Sequence, residues 1–314
     1  MKIAIVRLSA MGDIIHSAVI LEYLYKNGIK VDWIADSRFA SILDNSPYID
    51  KIRPLNLKKD LLGSLKEVLK WEKYDLVIDF QGLLKSAILS KIISKKVIGC
   101  DGFHTKEKLA LLFYNQKLKI RNHSMGRYKE MINEIFNLNI TNSMIANHSP
   151  YLFYKANPLK EYFASQKKNI IFIVGSNDLN RMYPTSKWIE LANSIDENIL
   201  IPYGNSKEKD IADEISLNSN AKVLPKMNLE QLKATISHAD LLIGNDTGPS
   251  YIAWANNIKN ILLFGATPKK RVLENKYTKI IKSKTSVDNE IFSKKDFSIK
   301  DIEVSEIINA VKKI

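Results

Sequence analysis

Asp13 follows Gly12 directly, where an apolar run from Ile3 to Val6 ends in the small-residue turn Ser9-Ala10-Met11. Ile14, Ile15, Ala18, Val19 and Leu21 then recur at helical spacing, which predicts strand, loop and helix with a carboxylate at the helix start. A dinucleotide fingerprint needs several glycines here, so that backbone amides can reach a pyrophosphate. A carboxylate repels phosphate and is itself stabilised by the helix dipole. The segment therefore offers an acid or base, or a helix cap, and no phosphate cradle. Three later loops suit a phosphorylated ligand better. In Leu241-Leu-Ile-Gly-Asn-Asp246-Thr247-Gly248-Pro249, a strand runs into a helix start whose amides at Thr247 and Gly248 could hold a diphosphate, with Asp246 free for sugar hydroxyls. In Gly175 to Pro184, Ser176, Asn177 and the forked guanidinium of Arg181 suit phosphate oxygens. In Pro202 to Glu208, the carboxylate of Glu208 could bind a ribose diol. Each loop also reads as an ordinary turn, with Asp246 or Glu208 capping a helix.

The elements that must position these residues alternate between strand-like and helical periods. Strands are predicted at Ile3 to Val6, Val31 to Ala35, Ile52 to Pro54, Leu76 to Asp79 and Val97 to Gly99, and again at Asn169 to Val174, Ile199 to Pro202, Leu241 to Gly244 and Ile261 to Phe264. That alternation predicts an α/β protein with largely parallel sheets in two Rossmann-like domains. The polar stretch Asn139 to Ser149, with Pro150 and Pro158 beyond it, places the boundary so that the domains run 1–152 and 153–314. A closing amphipathic helix is expected over about 302–313, free to pack back on the first domain. Two such halves imply a central cleft, with ligands beyond the C-terminal ends of the strands.

The chain has 314 residues, of which 45% are hydrophobic and 26% charged, the composition of an ordinary water-soluble protein. It carries no apolar run long enough for a membrane helix and no signal peptide, since Arg7 and Asp13 interrupt the opening segment. One cysteine, Cys100, excludes a disulfide framework and a cysteine-rich zinc site, which points to the cytoplasm. The net charge of +13 is concentrated. Eleven Lys and Arg stand against two acids between Gln81 and Lys129. The stretch is either a solvated face or a docking face for an anionic ligand, anionic lipid or nucleic acid, and no nucleic-acid module accompanies it.

Taken together, Ser9-Ala-Met-Gly-Asp13, Gln81-Gly-Leu-Leu-Lys85-Ser86, Leu112-Phe-Tyr-Asn115, His123-Ser-Met-Gly-Arg127, Tyr203-Gly204 with Glu208, Leu224-Pro-Lys-Met227-Asn-Leu229 and Asn245-Asp-Thr-Gly248 resemble the ADP-heptose-dependent lipopolysaccharide heptosyltransferases over most of the chain. The resemblance implies a GT-B fold and an inverting transfer of L-glycero-D-manno-heptose from ADP-heptose to the Kdo residue of Kdo-lipid A, at the cytoplasmic face of the inner membrane. It implies Asp13 as general base. Ser176, Asn177, Arg181, Thr247 and Gly248 would meet the diphosphate, Met227 the adenine, Glu208 the ribose and Asp246 the heptose. Lys85, Lys106, His123 and Arg127 would receive the anionic acceptor, with the anionic membrane leaflet as a peripheral partner. No metal or other cofactor is expected, and no Asp-x-Asp motif is present. Ser176, Asn177 and Arg181 stand where relatives commonly show a threonine pair and a lysine, and Tyr251 stands where a histidine is frequent. The competing readings are transfer to heptosyl-Kdo-lipid A, a GT-B-like sugar-nucleotide epimerase, a two-domain dehydrogenase and a basic binding protein. The missing glycine fingerprint disfavours the dehydrogenase.

Overall fold

The computed structural model describes residues 1–122, 125–284 and 293–314. The chain divides into two compact units, Met1–Phe153 and Tyr154–Ile314.

In the first unit the strands are β1 (Ile3–Val6), β2 (Val31–Asp36), β3 (Ile49–Leu55), β4 (Leu76–Asp79), β5 (Val97–Cys100) and β6 (Gln116–Leu118). They form a parallel sheet in the order β3-β2-β1-β4-β5-β6. β1 and β4 are apolar almost throughout and buried along their whole length, as a parallel strand covered on both faces requires. The helices are α1 (Met11–Ala18), α2 (Leu21–Lys26), α3 (Leu61–Leu69), α4 (Leu84–Ile93), α5 (Gly126–Phe136) and α6 (Asn142–Ala146). Val68 of α3 and Leu89 and Ile93 of α4 share one core cluster with Ala4, Val6 and Val77 of the sheet, so these two helices cover the same face. A 3-10 segment, Lys108–Phe113, continues that layer by packing Ala110 against Ala87 of α4.

The second unit repeats the plan with β7 (Asn169–Ile173), β8 (Asn198–Ile201), β9 (Lys222–Val223), β10 (Leu241–Asn245), β11 (Asn260–Phe264) and β12 (Thr278–Lys282), in the parallel order β12-β11-β10-β7-β8-β9. Its helices are α7 (Thr185–Asn193), α8 (Ser206–Leu217), α9 (Leu229–Ser237), α10 (Gly248–Ala255) and α11 (Val304–Val311). Trp188 of α7 and Ile307 of α11 are fully buried in its core beside Phe172 and Ile243. The closing helix α11 packs on α7, β11 and β12 of its own unit, whereas its sequence alone leaves it free to pack on the first domain.

Every strand expected from the sequence is present. β6, β9 and β12 go beyond that expectation. Each is an outermost strand, and each carries lysine. Edge strands need little apolar surface, and charged side chains there discourage pairing with other chains.

In both sheets the chain order reverses once, between β1 and β4 in the first and between β7 and β10 in the second. At such a reversal the loops leaving the two central strands diverge to opposite faces and open a crevice at the C-terminal strand ends. Asp13 lies at the first of these places, and Arg181, Asp246, Thr247 and Gly248 at the second.

Candidate active site

At the first reversal, β1 leads through Arg7 to Ala10 into α1. The N-cap of α1 is Ala10, so Asp13 is not the cap. It occupies the first turn, where the helix dipole favours its negative charge. Its side chain is 18% exposed and forms an ion pair at 2.5 Å with Arg7, whose guanidinium is 1% exposed. Arg7 also donates from Nη1 to the Phe80 carbonyl at 2.6 Å, in the loop after β4. A guanidinium so fully removed from water requires a counter-charge and carbonyl acceptors. Asp13 is thereby tied to both loops of the reversal.

The loop after β4 is held from two sides. Gln81 Oε1 accepts from the Leu8 and Ser9 amides at 2.9 and 3.0 Å, joining the two loops directly. Asp79, at the end of β4, accepts from the amides of Gln81 and Gly82 and the hydroxyls of Ser86 and Tyr114. Burial pushes the Asp79 carboxyl above its ordinary value, and these hydrogen bonds offset only part of that. Gly82 has φ +69°, and a Cβ there would lie 3.2 Å from the Thr105 backbone, so the turn requires glycine.

Among the expected acceptor residues, Lys106 reaches this loop through its amide, which donates to the Gly82 carbonyl at 2.9 Å. Arg127 lies over the Tyr128 ring at 4.7 Å and donates to its hydroxyl, while the Arg7 guanidinium lies 5.9 Å from the same ring. Arg7, Gln81, Lys106, Arg127 and Tyr128 together line a cavity of about 30 Å³, room for one water molecule. Lys85 is exposed at the start of α4. His123 lies outside the described residues.

At the second reversal, Asn245 plays the part that Gln81 plays in the first. Its Nδ2 donates to the Val174 carbonyl at 2.7 Å and its Oδ1 accepts from the Tyr183 amide, which joins the loops after β10 and β7. Thr247 is the N-cap of α10, in extended conformation and without a side-chain cap, and Pro249 lies in the first turn. Thr247 and Gly248 are half-buried at a helix N-terminus, the place where amides favour anions.

The expectation that Asp246 is free to accept from a sugar is corrected here. Asp246 is only 2% exposed and both its oxygens are engaged. Tyr251 donates to Oδ1 and Thr267 to Oδ2, and Arg181 Nη1 stands 3.3 Å from Oδ2. Burial would raise this carboxyl, but the positive charges of Arg271 and Arg181 and the two hydroxyls outweigh it and hold the group below its ordinary value. Burial and the Asp246 charge push the Tyr251 phenol well up, so it stays protonated and donates. Arg181 and Arg271 thus bring two guanidiniums to the carboxylate that precedes the α10 N-terminus. Asp178 further steadies Arg181 through a 3.6 Å contact to Nε.

Glu208 closes the group. Its Oε2 accepts from the Gly204 amide at 2.7 Å, and Asn205, not Glu208, caps α8. A Cβ on Gly175 would come within 2.5 Å of Glu208 Cγ, so the bare glycine lets this side chain lie across the loop after β7. Ser176 Oγ accepts from the Asp178 amide, and Asn177 is exposed on the same loop. Met227 is half-buried between β9 and α9, its sulfur 3.5 Å from Thr235 Oγ1. Among the described residues no cluster of His, Cys, Asp and Glu could hold a metal ion.

Comparison with known proteins adds a family to this geometry. The family model described as glycosyltransferase family 9 (heptosyltransferase) matches residues 62–304. The chain belongs to this family. It is therefore a glycosyltransferase. It is 37% identical to the lipopolysaccharide heptosyltransferase 1 of Campylobacter coli, across 100% of this chain and 99% of that protein. The lipopolysaccharide heptosyltransferase 1 of Escherichia coli K12 is 28% identical over 85% of this chain and 88% of its own length. Among solved structures, the E. coli heptosyltransferase WaaC with ADP superposes with a TM-score of 0.79 at 24% identity, covering 100% of this chain and 99% of that one. The E. coli heptosyltransferase II gives 0.74 at 17% identity, over 100% and 98%. The fold is thus GT-B.

Several residues of the two clusters escape a reading of the sequence. Arg7 reads there as a charge interrupting an apolar strand, although a lone cation at a buried strand end is itself a signal that a carboxylate must lie near. Gln81 belongs to a motif of the resemblance, but its residue type alone assigns it no role. Thr267 and Arg271 reach Asp246 from the loop after β11, a long-range relation that spacing cannot reveal.

Proposed function

We propose that this glycosyltransferase moves L-glycero-D-manno-heptose from ADP-heptose to the Kdo residue of Kdo-lipid A, in construction of the lipopolysaccharide inner core. The observation that carries the reading is the full-length 37% identity to a heptosyltransferase 1, joined to a half-buried Asp13 carboxylate paired with the buried Arg7 at a strand-order reversal. WaaC structures with ADP and with ADP-2-deoxy-2-fluoro heptose support a sugar-nucleotide donor.

In this reading Asp13 accepts the proton of the attacking Kdo hydroxyl as that oxygen bonds to the anomeric carbon of heptose. The bond from that carbon to the diphosphate oxygen breaks, ADP departs with the electron pair, and configuration inverts. Arg7 keeps Asp13 aimed through their ion pair, and Gln81 fixes the loop that carries it. The charge developing on ADP is met by Arg181 and by the amides of Thr247 and Gly248, with Ser176 and Asn177 as further donors. Charge arranged in advance of the reaction commonly supplies most of an enzyme's rate enhancement. Asp246 serves by holding Arg181 and Tyr251 in place, and not as a direct partner of sugar hydroxyls. Glu208 holds the ribose and Met227 packs near adenine. Lys85, Lys106, His123 and Arg127 receive the anionic acceptor, and the enzyme works peripherally at the cytoplasmic leaflet. No metal is assigned a role: Arg181 and the amides of Thr247 and Gly248 serve the diphosphate.

The test is transfer from ADP-heptose to Kdo-lipid A and, in parallel, to heptosyl-Kdo-lipid A. Product with the first acceptor alone is expected. Product with the second alone would move the enzyme to the next heptose addition, and none with either would overturn the reading.

A further inference from the structure

The layer formed by α3, α4 and the 3-10 segment Lys108–Phe113 turns an unusual surface to solvent. Leu62 and Leu69 on α3 are 73% and 64% exposed, and Leu109 and Leu112 on the 3-10 segment are 62% and 79% exposed. Ile88, on α4 between them, is exposed too. Single exposed leucines are ordinary, but several on adjoining elements of one layer mark a surface that meets something apolar. Exposed lysines flank them: Lys66 on α3 and Lys70 at its C-cap, Lys85 and Lys91 on α4, and Lys108 at the start of the 3-10 segment. Of the neighbouring acids, Asp60 caps α3 through the Gly63 amide, Glu107 accepts from the Leu84 amide at 2.6 Å and Glu67 is exposed on α3, so the lysines remain in excess.

We propose that this layer is the membrane-docking face of the enzyme, seated on a bilayer surface with anionic headgroups. Leucines at the acyl boundary and lysines at the phosphates are the division of labour that interfacial helices use. Charge complementarity selects an anionic surface over a zwitterionic one. The face is continuous with residues assigned to the acceptor: Lys85 opens α4, and Lys106 precedes the 3-10 segment by two positions. The proposal deepens the functional reading, since a lipid-linked acceptor has to be met at a membrane.

The test uses the full chain and flotation with two kinds of vesicle, phosphatidylethanolamine–phosphatidylglycerol and phosphatidylcholine alone. The wild type is expected to float with the anionic vesicles, less at high salt, and not with the zwitterionic ones. Leu62→Glu/Leu69→Glu/Leu112→Glu is expected to lower the bound fraction about tenfold or more. Lys66→Glu/Lys70→Glu should do so without touching an apolar group. Both variants should keep the wild-type circular dichroism, and both should keep wild-type transfer to a Kdo acceptor stripped of acyl chains. A wild type that fails to float, or variants that float like it, overturns the proposal. So does a wild-type dimer in sedimentation velocity that the leucine variant dissociates, because a second copy would then cover the face. Vesicle binding without heptose transfer would instead reject the functional reading and leave the docking face standing.

Discussion

Asp246→Asn isolates the charge at the centre of the second cluster while leaving its shape nearly unchanged. In the wild type the carboxylate is buried, accepts from Tyr251 and Thr267, and faces Arg181 at 3.3 Å. The amide keeps one acceptor oxygen, turns the other contact into two N–H groups facing a hydroxyl and a guanidinium, and removes the buried charge that opposes Arg181 and Arg271. Removing one partner of a buried ion pair costs about 3 to 5 kcal/mol. For a unit of this size, with an m-value of about 2 to 3 kcal/mol per molar urea, the unfolding midpoint should fall by about 1 to 2.5 M. The pH dependence carries a sign. The folded-state value of Asp246 lies below the ordinary one. Its contribution is therefore complete above the unfolded value of about 4 and is lost as pH falls through the folded value. The gap between wild type and Asp246→Asn should be full at neutral pH and close only in strong acid. Urea titrations by tryptophan fluorescence at several pH values measure it. A midpoint shift below about 0.3 M at neutral pH, or a gap that widens in acid, would refute the reasoning.

Arg181→Ala should weaken ADP binding by about 1.5 to 3 kcal/mol, the size of a hydrogen bond to a charged group, and calorimetry giving unchanged affinity would remove Arg181 from the diphosphate site. Gly175→Ala places a methyl within 2.5 Å of Glu208 Cγ, so the carboxylate must swing off the loop. ADP affinity should drop several-fold while deoxy-ADP, lacking the ribose diol, is bound about equally by both proteins. Gln81→Ala removes the acceptor shared by the Leu8 and Ser9 amides. Steady-state kinetics should then show kcat lowered by about tenfold with the donor KM unchanged, because the loop carrying Asp13 loses its register.

The central strands were legible because parallel strands buried on both faces must be continuous apolar runs, as Ile3 to Val6 and Leu241 to Ile243 are. The edges were not. Gln116–Leu118 is three residues with two exposed, and Thr278–Lys282 is framed by lysines, so neither shows the pattern that burial imposes. In the sites, Asp13 and the Thr247 to Gly248 turn stood out because each breaks an apolar run at a helix start. The sequence could not show that Asp246 is buried beneath Tyr251, Thr267 and Arg181, since Thr267 and Arg181 come from other loops and Tyr251 from the next helix. Nor could it show that Arg7 and Gln81 link the loops after β1 and β4 across some seventy positions.

Asp13→Asn most directly tests the claim that an N-terminal carboxylate drives the transfer. The amide keeps its place beside Arg7 but can no longer take a proton. Single-turnover transfer from ADP-heptose to Kdo-lipid A should slow by about 10² to 10⁴-fold while ADP-heptose affinity stays at the wild-type value. A variant that transfers heptose at close to the wild-type rate would contradict the account.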